Sequence, residues 1–442
     1  MRRRTGATHA ALAALALALP AATLAQAPAG PHPAAPARAR PEAADTARPP
    51  TPSPAAAHPA TQAPDTVRRR RYPIGDPDYW SYYLLPFPTY NGLEGLGLSL
   101  TGGWRKSAPP GPVAVGISIE PSALISTSGT RGAQLVFDEE GRWHGWRLLV
   151  MAGTVREQRA PYFGLGNRSA VADSLTESYG VAYATYSLLR TTGLIAVRRK
   201  LAGPLHLLVG TQWRHYRALP LEHRRSRLAD DLAAGAALDT GSTDGLEVRG
   251  GLLFDTRDEE SSPSRGLFVE ALAARGLKGG PGKLAYTRYA LQMREFISLT
   301  EFTTLGLRQG VELTRGAPPF YVTDERMTSW RPEDGFGGVT TLRAHLPGRF
   351  SAPNKALLSA DLRYRNWDFW VTPTTPVRLY FLVFADVGRV WDDGEQFAPS
   401  HLHAGGGVGT RIQVGRGGFF GFDVGWSPDA HLTFTTALSL AY

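Results

Sequence analysis

The chemistry-bearing residues of this 442-residue chain are numerous but are not grouped for catalysis. There is no cysteine, which excludes thiolate nucleophiles, thiolate metal sites and disulfides. His144, His206, His215 and His403 are scattered and read as loop or lumen residues rather than ligands. The chain contains no Gly-x-Ser-x-Gly elbow, no His-Glu-x-x-His and no P-loop. A protein without enzymatic activity, metal or cofactor is therefore expected. One polar grouping that could position structure is Asp255-Thr256-Arg257-Asp258, followed by Pro263 and Gly266. A carboxylate and a guanidinium at one strand end can lock a turn through charge-assisted hydrogen bonds. That chemistry positions backbone; it does not turn over a substrate.

The elements that would carry these residues are strands, because the body of the chain alternates with period two. In 355–366 one phase is Ala356, Leu358, Ala360, Leu362 and Tyr364, and the other holds Ser359, Asp361, Arg363 and Arg365. Segments 246–254, 402–414, 419–426 and 431–442 behave similarly, the last with Leu432, Phe434, Leu438, Leu440 and Tyr442 on one face. Soluble strands average about 5–6 residues, whereas these segments run to about 10–15, long enough for a transmembrane strand. Gly and Arg fall on the polar phase, which suits a crowded lumen. The fold expected is all-β: a transmembrane antiparallel barrel over 95–442 with about 16 strands, even in number as closed antiparallel barrels require. Strands are expected to begin near residues 95, 112, 130, 143, 177, 204, 244, 266, 283, 302, 339, 355, 377, 401, 418 and 431. The stretch 177–201 is open to one strand or two, with Thr191–Gly193 as a candidate turn. Longer connections near 158–176, 219–243 and 315–338 would be extracellular loops.

The N-terminus reads as an export signal over 1–25: basic Arg2–Arg4, an apolar Ala/Leu run, then small residues at Thr23 and Ala25. Residues 26–71 are a Pro/Ala-rich tract whose composition cannot bury enough apolar surface to order itself. It is expected in the periplasm, and its spacing leaves open a passive spacer, a cell-wall tether or Arg68–Arg71 contacts with anionic lipid. The short stretch 72–94, rich in Tyr, Pro and Gly, is expected to be a periplasmic cap or linker. No stretch is long and apolar enough for a transmembrane helix, so an integral protein of this sequence must span as a closed barrel. The formal net charge of +9 sits largely at the two ends of the N-terminal tract and carries no nucleic-acid recognition motif.

Four motifs resemble the bacterial outer-membrane surface-antigen family of BamA- and TamA-like barrels, over roughly residues 90–442. They are Tyr162-Phe163-Gly164-Leu165-Gly166-Asn167; the Asp255-x-Arg257-Asp258 hairpin with Pro263 and Gly266; Thr341-Leu342-Arg343-Ala344-His345; and the strand pair holding Asp361-x-Arg363 and Asp386-Val387-Gly388. Gly407-x-Gly409-x-Arg411 and Asp423 also fit. The resemblance implies that a long loop folds into the barrel and that Arg343 at its tip pairs with Asp361 and Asp386. Where the family has Gly and an aromatic after that Arg, this chain has Ala344 and His345. Ala tolerates tight backbone geometry less well than Gly. The family's soluble periplasmic repeats have no counterpart expected between the signal and the barrel.

The function expected is membrane-protein insertion, assembly or transport in the outer membrane. It would act through a weakly paired seam between strands 95–105 and 431–442, including Leu438, Leu440 and Tyr442. The alternatives are a structural or diffusion-pore barrel and a lipid-handling barrel. The partners expected are outer-membrane lipids and client membrane proteins or lipids, with no nucleic acid.

Overall fold

In a computed structural model of the chain, the described residues are 80–107, 115–140, 145–169, 178–222, 224–236, 238–279, 282–372, 375–414 and 418–437. The export signal, the Pro/Ala-rich tract, the expected lack of soluble repeats, His144 and the seam residues Leu438, Leu440 and Tyr442 lie outside them.

Sixteen strands join edge to edge in chain order, each antiparallel to the next. The first eight are β1 Trp80–Asn91, β2 Gly95–Ser107, β3 Val115–Ser126, β4 Arg131–Glu140, β5 Trp146–Pro161, β6 Thr185–Ala202, β7 Leu205–Leu219 and β8 Gly241–Asp255. Then follow β9 Gly266–Gly279, β10 Gly282–Ser298, β11 Thr303–Gly316, β14 Asn354–Thr372, β15 Thr375–Trp391, β16 His403–Val414, β17 Gly418–Ser427 and β18 His431–Ala437. Two short strands, β12 Glu325–Arg326 and β13 Glu333–Asp334, form a separate hairpin inside the long connection 317–353. A short helix α1, Arg227–Ala233, lies in the 220–240 connection, with Ser226 accepting from the Ala229 amide at its N-terminus. β18 lies beside β1, so the sheet curls into a nearly closed barrel.

Period-two alternation decides which face is which. Leu358, Leu362 and Tyr364 of β14 are exposed, while Ser359, Asp361 and Arg363 are buried. Leu98 and Leu100, Val209 and Trp213, Phe381 and Val383, and Val424 and Trp426 are exposed on other strands. The apolar phase therefore covers the outside and the charged phase fills the interior, the reverse of a soluble sandwich and the arrangement a lipid-embedded barrel requires. The connections at one end are short turns, such as 203–204 and 299–302. Those at the other end are the long ones, 162–184, 220–240, 317–353 and 392–402.

Two strand assignments differ from expectation, and a third resolves an open alternative. Trp80–Asn91, within the stretch read as a cap, is the first barrel strand, and the strand expected first, at 95, is the second. Pro86 and Pro88 argue against a strand in the sheet interior, but this strand lies at an edge, where proline is tolerated. No strand starts near 339; that stretch belongs to 317–353, where Gly337 and Gly338 adopt φ of 108° and 88° and break extended structure. Residues 185–202 are one strand, running straight through Thr191–Gly193 because Thr191 pairs with Thr154 on one side and His215 on the other.

Candidate functional site: the inward loop and the seam

The connection 317–353 folds back into the lumen and is held there along its length. At its near end Phe320 and Tyr321 pack among Tyr162, just past β5, and Tyr186 and Tyr216 of the wall. Next, Glu325 receives Arg190 of β6 at 2.9 Å and Arg214 of β7 at 2.7 Å. Burial pushes the Glu325 carboxyl up, but Arg214 and Arg190 outweigh it and hold it below the ordinary carboxylate range. Glu333 receives Arg308 of β11 at 2.6 Å and Arg326 at 3.0 Å. Here too burial opposes ionisation, yet Arg308 and Arg326 bring the carboxyl down to about 2. The wall also binds the loop backbone. Arg249 donates to the Thr328 and Trp330 carbonyls, Gln292 donates to Met327 O, and Glu312 accepts from Met327 N.

At the tip, Arg343 reaches the last third of the barrel. Its Nε and Nη2 donate to the two Asp386 carboxylate oxygens at 2.9 and 2.7 Å, and its own amide donates to Asp386 Oδ2 at 2.9 Å. Asp361 Oδ2 lies 3.7 Å from Arg343 Nη1, and Asp361 also pairs with Arg363 on its own strand. The guanidinium stacks over the Phe384 ring at 4.1 Å. Asp386 thus takes the short bidentate contact, and Asp361 supplies a longer-range charge. All of these groups are buried. Arginine suits such a site because its planar fork matches a carboxylate and keeps its charge when desolvated.

The two departures from the family pattern have local compensations. Ala344 is fully buried and does not need positive φ. The room comes from the wall: a Cβ at Gly405 would lie 2.6 Å from Ala344 Cβ, and one at Gly425 2.7 Å from Ala344 Cα. His345 acts as an aromatic, edge-on to Phe350 at 5.4 Å, while Phe350 stacks on His403 at 3.7 Å. His345 Nε2 lies 3.4 Å from Asp429 Oδ2 in the β17–β18 turn, and His403 Nδ1 lies 2.9 Å from the same oxygen. Burial lowers His345 to about 4. Ser427 donates to Ala344 O at 2.8 Å and Thr433 of β18 to Arg343 O at 3.4 Å, so the tip touches both final strands.

The other sequence motifs fall around this loop. Asn167 accepts from Val390 N, donates to His401 O and offers its carbonyl to His403 Nε2. Arg257 grips Asp255 through two donors at 2.9 and 2.7 Å. Asp258 accepts the amides of Glu259, Ser264 and Arg265, closing the turn that contains Pro263 and leads into Gly266. Glu260 of the same turn pairs with Arg147, which also grips Asp138. Burial opposes ionisation of Glu260, but the neighbouring arginines, Arg147 first, bring it down to about 2. Arg411 and Asp423 form a bidentate pair at 2.8 Å in the wall.

The second feature is the edge where β18 meets β1. The Tyr90 amide points across it, to Thr436 Oγ1 at 3.4 Å, and the Tyr90 ring packs on Phe434 at 5.9 Å. Phe87 stacks on Phe420 of β17. Tyr90 pairs with Leu96 of β2, and Leu96 turns its own carbonyl away to Thr127 N. Main-chain groups alternate sides along a strand, and the β1–β2 register has no shift. Pro88 and Pro86 therefore share the seam-facing edge with Tyr90. Neither has an N–H to donate, and among the described residues no backbone ladder joins β1 to β18.

Sequence reasoning missed Glu325, Glu333 and their arginines, and the seam prolines. Arg190, Arg214 and Arg308 carried a signal, since each lies on the inward phase of its strand. The two loop carboxylates lie in irregular sequence and carried none.

A sixteen-stranded barrel, apolar outside and charged within, is an outer-membrane β-barrel. The Omp85 superfamily domain matches residues 161–431, more than half of the chain, and the chain belongs to that superfamily. Among solved structures it is similar to BamA from Haemophilus ducreyi lacking POTRA domains 1–3, with TM-score 0.50 and 13% identity over 81% of this chain and 70% of that one. CdiB from Acinetobacter baumannii matches with TM-score 0.46 and 13% identity over 81% and 60%. CdiB from Escherichia coli matches with TM-score 0.47 and 10% identity over 81% and 67%. No curated protein sequence matches the chain.

Proposed function

We propose that this barrel is a non-enzymatic platform that inserts, assembles or transports client polypeptides at the outer membrane, working at the β1–β18 seam. The observation that carries this reading is the edge of β1, where Pro86 and Pro88 remove two successive seam donors next to the hydrogen bond from the Tyr90 amide. An edge that cannot zip to its neighbour is open to pairing with another strand. In this reading the Arg343–Asp386 fork, with Asp361 nearby, anchors the inward loop and braces the final strands while the seam opens. The Asp255–Gly266 turn stiffens the opposite, periplasm-facing end, and the N-terminal tract lies in the periplasm.

A static diffusion pore is the weaker reading, because the loop's paired side chains occupy the lumen. A lipid-handling role remains as the competing client class.

The test is a reversible lock. In cells depleted of the native protein, a Tyr90→Cys/Thr436→Cys variant is supplied, and outer-membrane proteomics and leaflet lipid asymmetry are followed. Oxidation is expected to remove a subset of outer-membrane proteins, and reduction to restore them. Unchanged proteins with altered lipid asymmetry would transfer the function to lipid handling. If neither changes, the platform reading fails.

A further inference from the structure

The outward wall of β4–β7 carries an ordered feature that neither the seam nor the loop explains. Cross-strand pairing sets its outward residues in rows. Toward the long-loop end, the first row that spans all four strands is Arg131, Arg156, Leu189 and Arg217, with Arg131 paired to Arg156, Arg156 to Leu189 and Leu189 to Arg217. All three arginines are exposed. Two residues along, roughly 7 Å, the row contains Thr154, Thr191 and His215. The next contains Leu135 and Trp213, and the one after it Phe137, Val150 and Ile195. The arginines therefore stand at the rim of the apolar band, one polar row above it.

A groove of about 440 Å³ opens at this rim. Four arginines line it, Arg156, Arg159, Arg217 and Arg224, against a single carboxylate, Glu222. The irregularity in β5 between Glu157 and Ala160 brings Gln158 and Arg159 into the lining. Arg131 faces Arg156 directly across the strands, an arrangement that like charges disfavour. The neighbouring acids are engaged elsewhere: Glu157 with Arg190 at 3.0 Å on the lumen side, and Asp244 with His215 at 3.0 Å. Arg159 also donates to the Leu93 carbonyl at 3.2 Å, and Arg224 comes from the 220–240 connection. Exposed Arg156 and Arg217 on the wall, with these two above them, leave the groove strongly cationic and call for an anion from outside the chain.

We infer that this groove binds the phosphorylated headgroup of a lipid in the surrounding leaflet. Phosphate matches the arginine fork in geometry as well as charge. The position identifies a lipid rather than a free anion, because acyl chains hanging from a headgroup at this row would lie along Leu135, Trp213 and Ile195. Basic pockets at the membrane boundary recognise headgroups in this way.

The experiment uses the full chain in neutral detergent and native mass spectrometry. The probes are diphosphorylated lipid A, the same lipid stripped of its phosphates, and inorganic phosphate. One lipid A is expected to bind tightly, with the dephosphorylated lipid at least tenfold weaker. Inorganic phosphate is expected not to displace it at equal concentration. Arg156→Gln/Arg217→Gln should weaken lipid A binding at least tenfold, and Arg156→Lys/Arg217→Lys should fall between that variant and the native chain, because lysine keeps the charge but not the fork. Arg275→Gln, at an exposed arginine of β9, should leave it unchanged. An unaltered heat-modifiable gel shift for each variant shows that the barrel is intact. The inference is overturned if the double Gln variant binds lipid A as tightly as the native chain. It is equally overturned if the phosphate-free lipid binds as well, or if inorganic phosphate competes equally.

Discussion

Asp386 receives three donors from one residue, Arg343. Removing one partner of a buried ion pair costs more than the pair contributes, because the other charge is stranded. Asp386→Asn keeps the volume but loses the charge, and should destabilise the folded barrel by about 3 kcal/mol. On gels it should lose its compact heat-modifiable form at a lower temperature than the native chain; an unchanged transition would remove Asp386 from the network. His345 makes a second residue-scale prediction. Its folded-state value of about 4 lies below the ordinary 6.5, so it is neutral in both states at pH 7 and adds no pH dependence there. Below about 6.5 the unfolded chain takes up a proton that the folded chain refuses until about 4, so stability falls across that window. The unfolding midpoint of the native barrel should therefore drop between pH 7 and pH 5 by more than that of His345→Gln. Equal drops would show that His345 does not titrate in this way.

At the scale of the element, β1 is unusual. A barrel strand normally donates to both neighbours; β1 has two prolines facing one of them. Their placement reconciles a proline-containing segment with a regular sheet, since the donors they lack are on the side away from β2. Replacing them with a β-branched residue supplies two N–H groups to the seam, each worth roughly 0.5–1.5 kcal/mol when paired. Pro86→Val/Pro88→Val should raise the thermal unfolding temperature of the barrel and reduce its capacity to complement depletion. A variant that is more stable and fully active would show that a weak seam is not required.

At the scale of the whole molecule, the lumen decides between a platform and a pore. Glu325, Glu333 and the Arg343 tip tie the inward loop to strands on opposite parts of the wall. Planar-bilayer recordings of the native chain should give little steady conductance. Deleting 324–350 should open large, stable channels, provided that the gel shift shows a folded barrel. High conductance from the native chain would instead favour diffusion through the lumen.

Much of the architecture was legible along the chain because the side-chain period of a strand is two, and a barrel turns that period into inside and outside. The phases of Leu358, Asp361, Leu362 and Arg363 assign each to its face with no knowledge of the neighbouring strands. The strand number was legible too, although its membership was not: Pro86 and Pro88 mask a strand, and the alternation near 339 imitates one. Membership depends on which edge of the sheet a proline faces, and that is a property of the closed barrel. The pairing of Arg343 with Asp386 was implied by family resemblance, whereas Glu325 with Arg190 and Arg214 came only from the fold. Those partners are 135 and 111 residues apart in the chain, and nothing local in an irregular loop specifies which wall residue it will meet. Sequence alone therefore determined a barrel with a charged interior. Only the tertiary structure decided which strands meet at the seam and what fills the lumen, because both depend on long-range register rather than on local period.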